Sequence, residues 1–266
     1  MKRLLVLCAA ILLLLAACTQ APAEPATTLV PTEVSSEATV TTTEPVTVTP
    51  DEVQFTVTQH QLFPPKQAFD AGFEAFYNEF TAAVRGKDMN FIDGILDDGV
   101  MSSFGGDPGK EYFYEHWKGI EQHYGKSLWD ELEAIIALGG VYYQAEEYSP
   151  GFGECFVAPY TFTDFRNTGL DSFEHHAIIA KDVPIYENAS TGSKIIGTLD
   201  YSILEYHYNE SDMLWEKSPE DFVSIKTLSG AAGYVQWKYF RSPIDYRLCI
   251  EQKDGKWKLL WLIAGD

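Results

Sequence analysis

The sequence predicts an α+β protein: a layer of helices on an antiparallel sheet, with a small all-β barrel inserted before the sheet's last strands. Three observations carry this expectation. From residue 66 to 138 apolar residues recur three and four positions apart, the period of one helix face. From 174 to 242 short apolar and aromatic runs are separated by turn clusters such as "NASTGS" and "LSGAAG", the pattern of a small all-β unit. After Pro243 two alternating runs flank Lys253-Asp254-Gly255-Lys256, and Asp-Gly between strands marks a hairpin.

The elements follow in order. Lys2 and Arg3 precede an unbroken apolar run from Leu4 to Ala17. A charged start, a short apolar stretch and a small-residue site make a secretory signal over residues 1–17, too short for a comfortable membrane span. The site itself, Leu15-Ala16-Ala17-Cys18, resembles a bacterial lipobox. The resemblance implies that Cys18 receives a thioether-linked diacylglycerol and becomes a palmitate-bearing N-terminus. Such an anchor holds a chain to a membrane without crossing it. A plain signal followed by a chance cysteine is the alternative. Thr19 stands where aspartate often accompanies retention at the inner membrane, so the resemblance favours the outer membrane or cell surface of a bacterial envelope.

Residues 18–65 read as a disordered tether. They are rich in Thr, Pro and Glu and hold no Lys or Arg, and such a composition buries too little apolar surface to offset the entropy of ordering. A short strand near Phe55–Val57 fits the alternation there, but no turn partner is evident.

A first helix is expected over residues 66–86, with Phe69, Phe73, Phe76, Phe80 and Val84 on one face and Gly86 as its stop. "DMNFIDGILDD" fits a second helix capped by Asp88, and "KEYFYEHWKGIEQH" a third. "SLWDELEAIIALGG" fits a fourth, with Ser127 and Asp130 as a capping pair and Gly139-Gly140 as the stop. Strands are expected in "VYYQAEEY" and "ECFVAPYTF". The terminal hairpin is too apolar to stand alone, so it is expected to return to this sheet. That makes 66–172 plus 243–266 a split helical–β module around an insertion at 173–242. By analogy only, a helical layer on a curved antiparallel sheet is similar to the NTF2-like fold.

The insertion carries a second resemblance. "DVPIYENASTGSKIIGTLDYSILEY" and "GYVQWKYF" are similar to the opening and closing segments of a bacterial SH3 (SH3b) domain. The match is most specific at Gly197-Thr198-Leu199 and Gly233-Tyr234-Val235. Asp182-Val183-Pro184 departs from the family's Asn-Val-Arg, which puts any ligand contact owed to that arginine in doubt. The resemblance implies a small SH3-like barrel. Its aromatics Tyr186, Tyr201, Tyr206, Tyr208, Trp215, Trp237 and Tyr239 would line a peptide groove or fill the barrel core. The whole arrangement looks like a class of uncharacterised bacterial SH3-domain lipoproteins.

Charge and chemistry narrow the function. A net charge of −20 argues against nucleic acid, whose phosphates need a basic surface. "FGGDPGK" is not a phosphate loop and reads as a turn. His116 and His123, with Glu111 and Glu115 nearby, lack a zinc spacing; no metal or cofactor is expected. Tyr142, Tyr143, Tyr148 and Tyr160 read as core and rim aromatics, or as a sugar-stacking surface. Cys155 and Cys249 remain once the signal and lipid cysteines are set aside, and bridged and free forms both stay open. No nucleophile or acid stands out among Cys155, Asp107, Glu154 and Asp164. The expectation is a non-catalytic, membrane-anchored envelope lipoprotein that binds a wall peptide or an envelope protein through the SH3b module. The alternative is an envelope enzyme, such as a peptidoglycan hydrolase, in the helical–β cleft.

Overall fold

The computed structural model describes residues 54–66, 68–143, 154–207 and 217–265. Its first element corrects the expected tether. Phe55–Gln61 is a strand, β1, with Phe55 and Val57 buried and Thr56 and Thr58 partly exposed. Regular structure is therefore present about ten residues before the expected boundary at 65.

The four expected helices are present. α1 (Ala71–Gly86) starts late, because Asp70 caps it: its Oδ1 accepts from the backbone N–H of Gly72 at 2.8 Å and of Phe73 at 3.0 Å. α2 (Met89–Ile95) is capped by Asp88, whose carboxylate accepts from Asn90 and Phe91. It ends sooner than expected. Leu96–Met101 turns into a strand, β2, which buries Leu96 and Val100 in the sheet. α3 (Lys110–Tyr124) and α4 (Leu128–Leu138) follow, the latter with the Ser127–Asp130 capping box formed in both directions. β3 (Val141–Tyr143) and β4 (Cys155–Ala158) are short. The aromatic run after Pro159, expected to continue a strand, is instead a helix, α5 (Tyr160–Phe165). Pro159 has no N–H for a ladder, and it stands where a helix can begin.

The remaining strands are β5 (His175–Ile178), β6 (Val183–Tyr186), β7 (Ile195–Leu199), β8 (Ser202–Tyr206), β9 (Phe222–Lys226), β10 (Ala232–Gln236), β11 (Phe240–Arg241), β12 (Arg247–Lys253) and β13 (Lys256–Ile263). Asp254 and Gly255, with φ of 50° and 75°, make the tight turn between the last two. The protein is thus α+β, with two mixed sheets.

The five-stranded sheet runs β2-β13-β12-β4-β3. The terminal hairpin lies inside it, β13 parallel to β2 and β12 antiparallel to β4. The expectation of a wholly antiparallel sheet is corrected at β2. The helices α1 to α4 cover one face, burying Phe73, Phe80, Ile92, Trp117, Leu132 and Ile135 against Leu248, Ile250, Leu259 and Leu262. The other face packs Cys155, Val157, Cys249, Leu260, Trp261 and Ile263 with Phe162 of α5. Trp257, Leu259, Trp261 and Ile263 alternate in the sequence but do not share one face, because a bulge intervenes. Ile250 pairs with Leu259 but Cys249 pairs with Trp261, so Leu260 is the extra residue and the alternation reverses beyond it.

The eight-stranded sheet runs β11-β5-β8-β1-β9-β10-β6-β7. Among the described residues the expected closed barrel is absent, with β11 and β7 at two open edges. β1 lies between β8 and β9, antiparallel to the first (Val57 opposite Leu204) and parallel to the second (Phe55 opposite Ile225). Gly233 is needed for close approach: a Cβ there would sit 2.3 Å from Cγ2 of Ile185 on β6.

The two sheets meet at a small core of Leu62, Tyr160, Phe165, Ala177 and Ile203. Leu62 donates its N–H to the Tyr201 carbonyl at 2.8 Å, and the Tyr160 hydroxyl donates to the Leu62 carbonyl at 3.2 Å. A buried ion pair reinforces the contact. Nη2 of Arg241 on β11 lies 2.8 Å from Oε1 of Glu131 on α4, which is fully buried. Lys126 reaches the other Glu131 oxygen at 3.1 Å, and Arg241 also reaches Asp245 at 3.4 Å. Burial raises the Asp245 carboxyl, but the charges of Arg241 and Lys126, the Tyr246 backbone N–H and His176 together hold the group below its ordinary value.

Candidate functional site

Of the seven aromatics expected to line a groove or fill the barrel core, five lie among the described residues. Tyr186 and Tyr206 are buried, the first edge-on to Phe222 at 5.6 Å and the second 5.0 Å from Phe55 in the sheet core. Trp237 is half-buried and stacks on Phe240 at 5.3 Å. Tyr239 lies half-buried under Lys238, whose Nζ is 5.6 Å from the ring. Tyr201 packs edge-on to Phe63 at 5.5 Å. Those rings serve the core and the contact between sheets, where their area buries most surface. Tyr208, Trp215 and Cys18 lie outside the described residues, as does Tyr148.

A cleft of about 450 Å³ opens instead at one end of the five-stranded sheet. Its lining comes from five places in the chain: Ala68 and Asp70 before α1, Tyr142 of β3, Glu154 before β4, Glu251 and Gln252 of β12, and Trp257 of β13. The aromatic walls are held from behind. Phe73 of α1 packs edge-on to Tyr142 and to Trp257, 4.9 Å from each, and Phe69 lies 6.0 Å from Tyr142. Burial pushes the Tyr142 phenol well above its ordinary value, and the carboxylates of Asp70 and Glu154 push it further. It is therefore a neutral hydroxyl at physiological pH. Asp70 spends one oxygen on the α1 cap. The cleft thus presents three carboxylates, a phenol and an indole.

Such a site suits a ligand with a cationic amine and a flat or apolar part. The amine is drawn to the carboxylates and the ring faces; the apolar part packs on Trp257. Neither Trp257 nor Glu251 is singled out by the sequence as a site residue. Only the pairing of β12 with β4 brings them beside Glu154 and Tyr142. A second depression, of about 540 Å³, is lined by Phe173, Glu174, Glu205, Tyr206 and His207. Its exposed rings are Phe173 and the His207 imidazole, and it has no comparable aromatic wall.

The other sequence candidates disperse. His116 bonds the Tyr246 hydroxyl at 2.9 Å through Nε2, and His123 lies against Tyr124 at 4.6 Å. Among the described residues no cluster of His, Cys, Asp and Glu is arranged to hold a metal ion. Burial raises the Asp164 carboxyl, against a hydrogen bond from Thr163. Cys155 and Cys249 lie on adjacent strands as free thiols. No described helix is long and apolar enough to cross a membrane. Comparison with known proteins finds no matching family model, and no curated protein or solved structure matches the chain.

Proposed function

We propose that the chain is a lipid-anchored binding protein of the bacterial envelope, held by Cys18, that takes an amine-bearing wall peptide in its acidic and aromatic cleft. The meeting of Asp70, Glu154 and Glu251 with Tyr142 and Trp257 in one cleft carries this reading. The lipobox resemblance supports the location. The eight-stranded sheet reads as an SH3b-like sheet opened by β1, and it acts as the frame rather than the groove. The helical module reads as NTF2-like in outline, a layer of helices on a curved sheet with a cleft at one end.

Co-sedimentation with purified peptidoglycan tests the binding. The wild-type chain is expected to pellet. Trp257→Ala, and separately the pair Glu154→Gln and Glu251→Gln, are expected to weaken binding at least tenfold. A chain that stays in the supernatant, and shows no heat on titration with soluble muropeptides, refutes the reading. Two cleft carboxylates, Glu154 and Glu251, favour one second reading: an envelope hydrolase using them as acid and base. Release of muropeptides from intact sacculi, lost in the same double variant, would establish that activity.

A further inference from the structure

The sheet that forms the cleft also holds the two thiols of the described chain. Cys155 lies on β4 and Cys249 on β12, strands that run antiparallel with Cys249 opposite Val157 and Cys155 opposite Glu251. The two cysteines are therefore diagonal neighbours. Residues two apart along a strand share a face, so both side chains point the same way, toward Phe162, Leu260 and Trp261. Cys155 is 4% exposed and Cys249 is 0% exposed. Both are reduced in this structure.

We infer that Cys155 and Cys249 are a disulfide site, and that their bond staples β4 to β12 in the mature protein. The inference rests on the envelope location proposed above, since such a bond persists in an oxidising compartment. The position gives it a purpose. β4 lies where the chain leaves the five-stranded sheet, and β12 where it comes back. The bond would close a loop from 155 to 249 that contains β5 through β11. It would hold the two flanks of that excursion together whether or not the eight-stranded sheet is folded.

The same burial dictates when the bond forms. The attacking species is a thiolate, and burial pushes the Cys249 thiol far above its ordinary value, with Cys155 adding to the effect. In the folded protein Cys249 has no exposed surface for an oxidant to reach. Oxidation therefore precedes the docking of β12. One cysteine attacks the disulfide of a thiol oxidoreductase, giving a mixed disulfide; the second displaces the carrier. Two S–H bonds break and one S–S bond forms. Two protons go to solvent, and two electrons leave with the carrier as its dithiol. Once folded, the bond is sealed from small reductants.

The test maps thiols in the full chain, expressed with its leader and extracted from bacterial membranes in detergent. The protein is denatured, alkylated without reductant and digested. The expected product is one peptide pair joined through Cys155 and Cys249, 2 mass units lighter than the two thiol peptides together, a difference set by the two hydrogens lost. A parallel sample is reduced, unfolded and refolded in mixed oxidised and reduced glutathione. Alkylation of both cysteines in both samples overturns the inference. Alkylation in the extracted protein but linkage after refolding leaves the site standing and refutes the envelope location. As a second measure, the double variant Cys155→Ala and Cys249→Ala should melt roughly 10 °C lower than the oxidised protein. It should match the reduced wild type within a few degrees. A melting temperature unchanged by oxidation counts against a stapling role.

Discussion

His176 shows how one buried side chain ties stability to pH. Its ring sits between Phe55 at 5.4 Å, Tyr206 at 5.8 Å and Trp237 at 5.8 Å, and its Nδ1 has no hydrogen-bond partner among the described residues. Burial lowers its pKa from 6.5 to about 4, with Asp245 opposing and His175 adding to the shift. The unfolded chain takes up a proton near pH 6.5 while the folded chain does not. Stability is therefore full above that pH, falls as pH drops, and levels off near pH 4. The loss amounts to about 3 kcal/mol. In His176→Phe, denaturant melts at a series of pH values should show a slope flatter by that amount. The sequence placed this histidine at the head of a strand but could not show which rings surround it. A partner is a fact of tertiary packing, and the same gap hid Trp257 from any sequence reading of the cleft. Glu131 is a similar case. Nothing near it in the sequence marks it as buried, yet it is fully buried against Arg241. Glu131→Ala should cost about 3 kcal/mol, because the buried Arg241 guanidinium loses its closest carboxylate and keeps the longer contact to Asp245. Glu131→Leu combined with Arg241→Met should recover most of that loss, as urea unfolding of the single and double variants will show.

At the scale of elements, local signals served well where an element carried its own punctuation. Asp88, Ser127 with Asp130, and Asp254-Gly255 each mark an end by a hydrogen bond or a backbone angle set within four residues. They fixed α2, α4 and the last hairpin. Signals failed where the partner was distant. β1 alternates correctly, but nothing near it in sequence pairs with it; its neighbours Leu204 and Ile225 come about 150 residues later. Leu96–Met101 continues a helical run and becomes a strand only because β13 is there to receive it. α5 was hidden by its aromatic, β-favouring composition. The central place of β1 gives a direct test. Val57→Pro removes a ladder N–H in an interior strand and should destabilise the fold by about 3 kcal/mol or more. The same change at the exposed β7 edge, Ile196→Pro, should cost less. Amide exchange of β8 and β9 in the two variants will separate them: loss of protection is expected only with β1 disrupted.

The molecule as a whole joins two sheets through Leu62, α5 and the Arg241–Glu131 pair, and the cleft opens on the sheet that does not contain β1. If Cys18 carries the lipid, Cys18→Ser should move the chain from the detergent phase to the aqueous phase in a partition assay, leaving the melting temperature unchanged. The residues ahead of Phe55 bring the chain into the middle of the eight-stranded sheet rather than to its rim. A pull on them cannot peel β1 away one bond at a time. It must slide the strand past β8 and β9 together, against Phe55 wedged among four rings. If Cys18 anchors the chain as proposed, the load enters at β1, and a cargo gripped in the cleft would reach it through Leu62 and Tyr160.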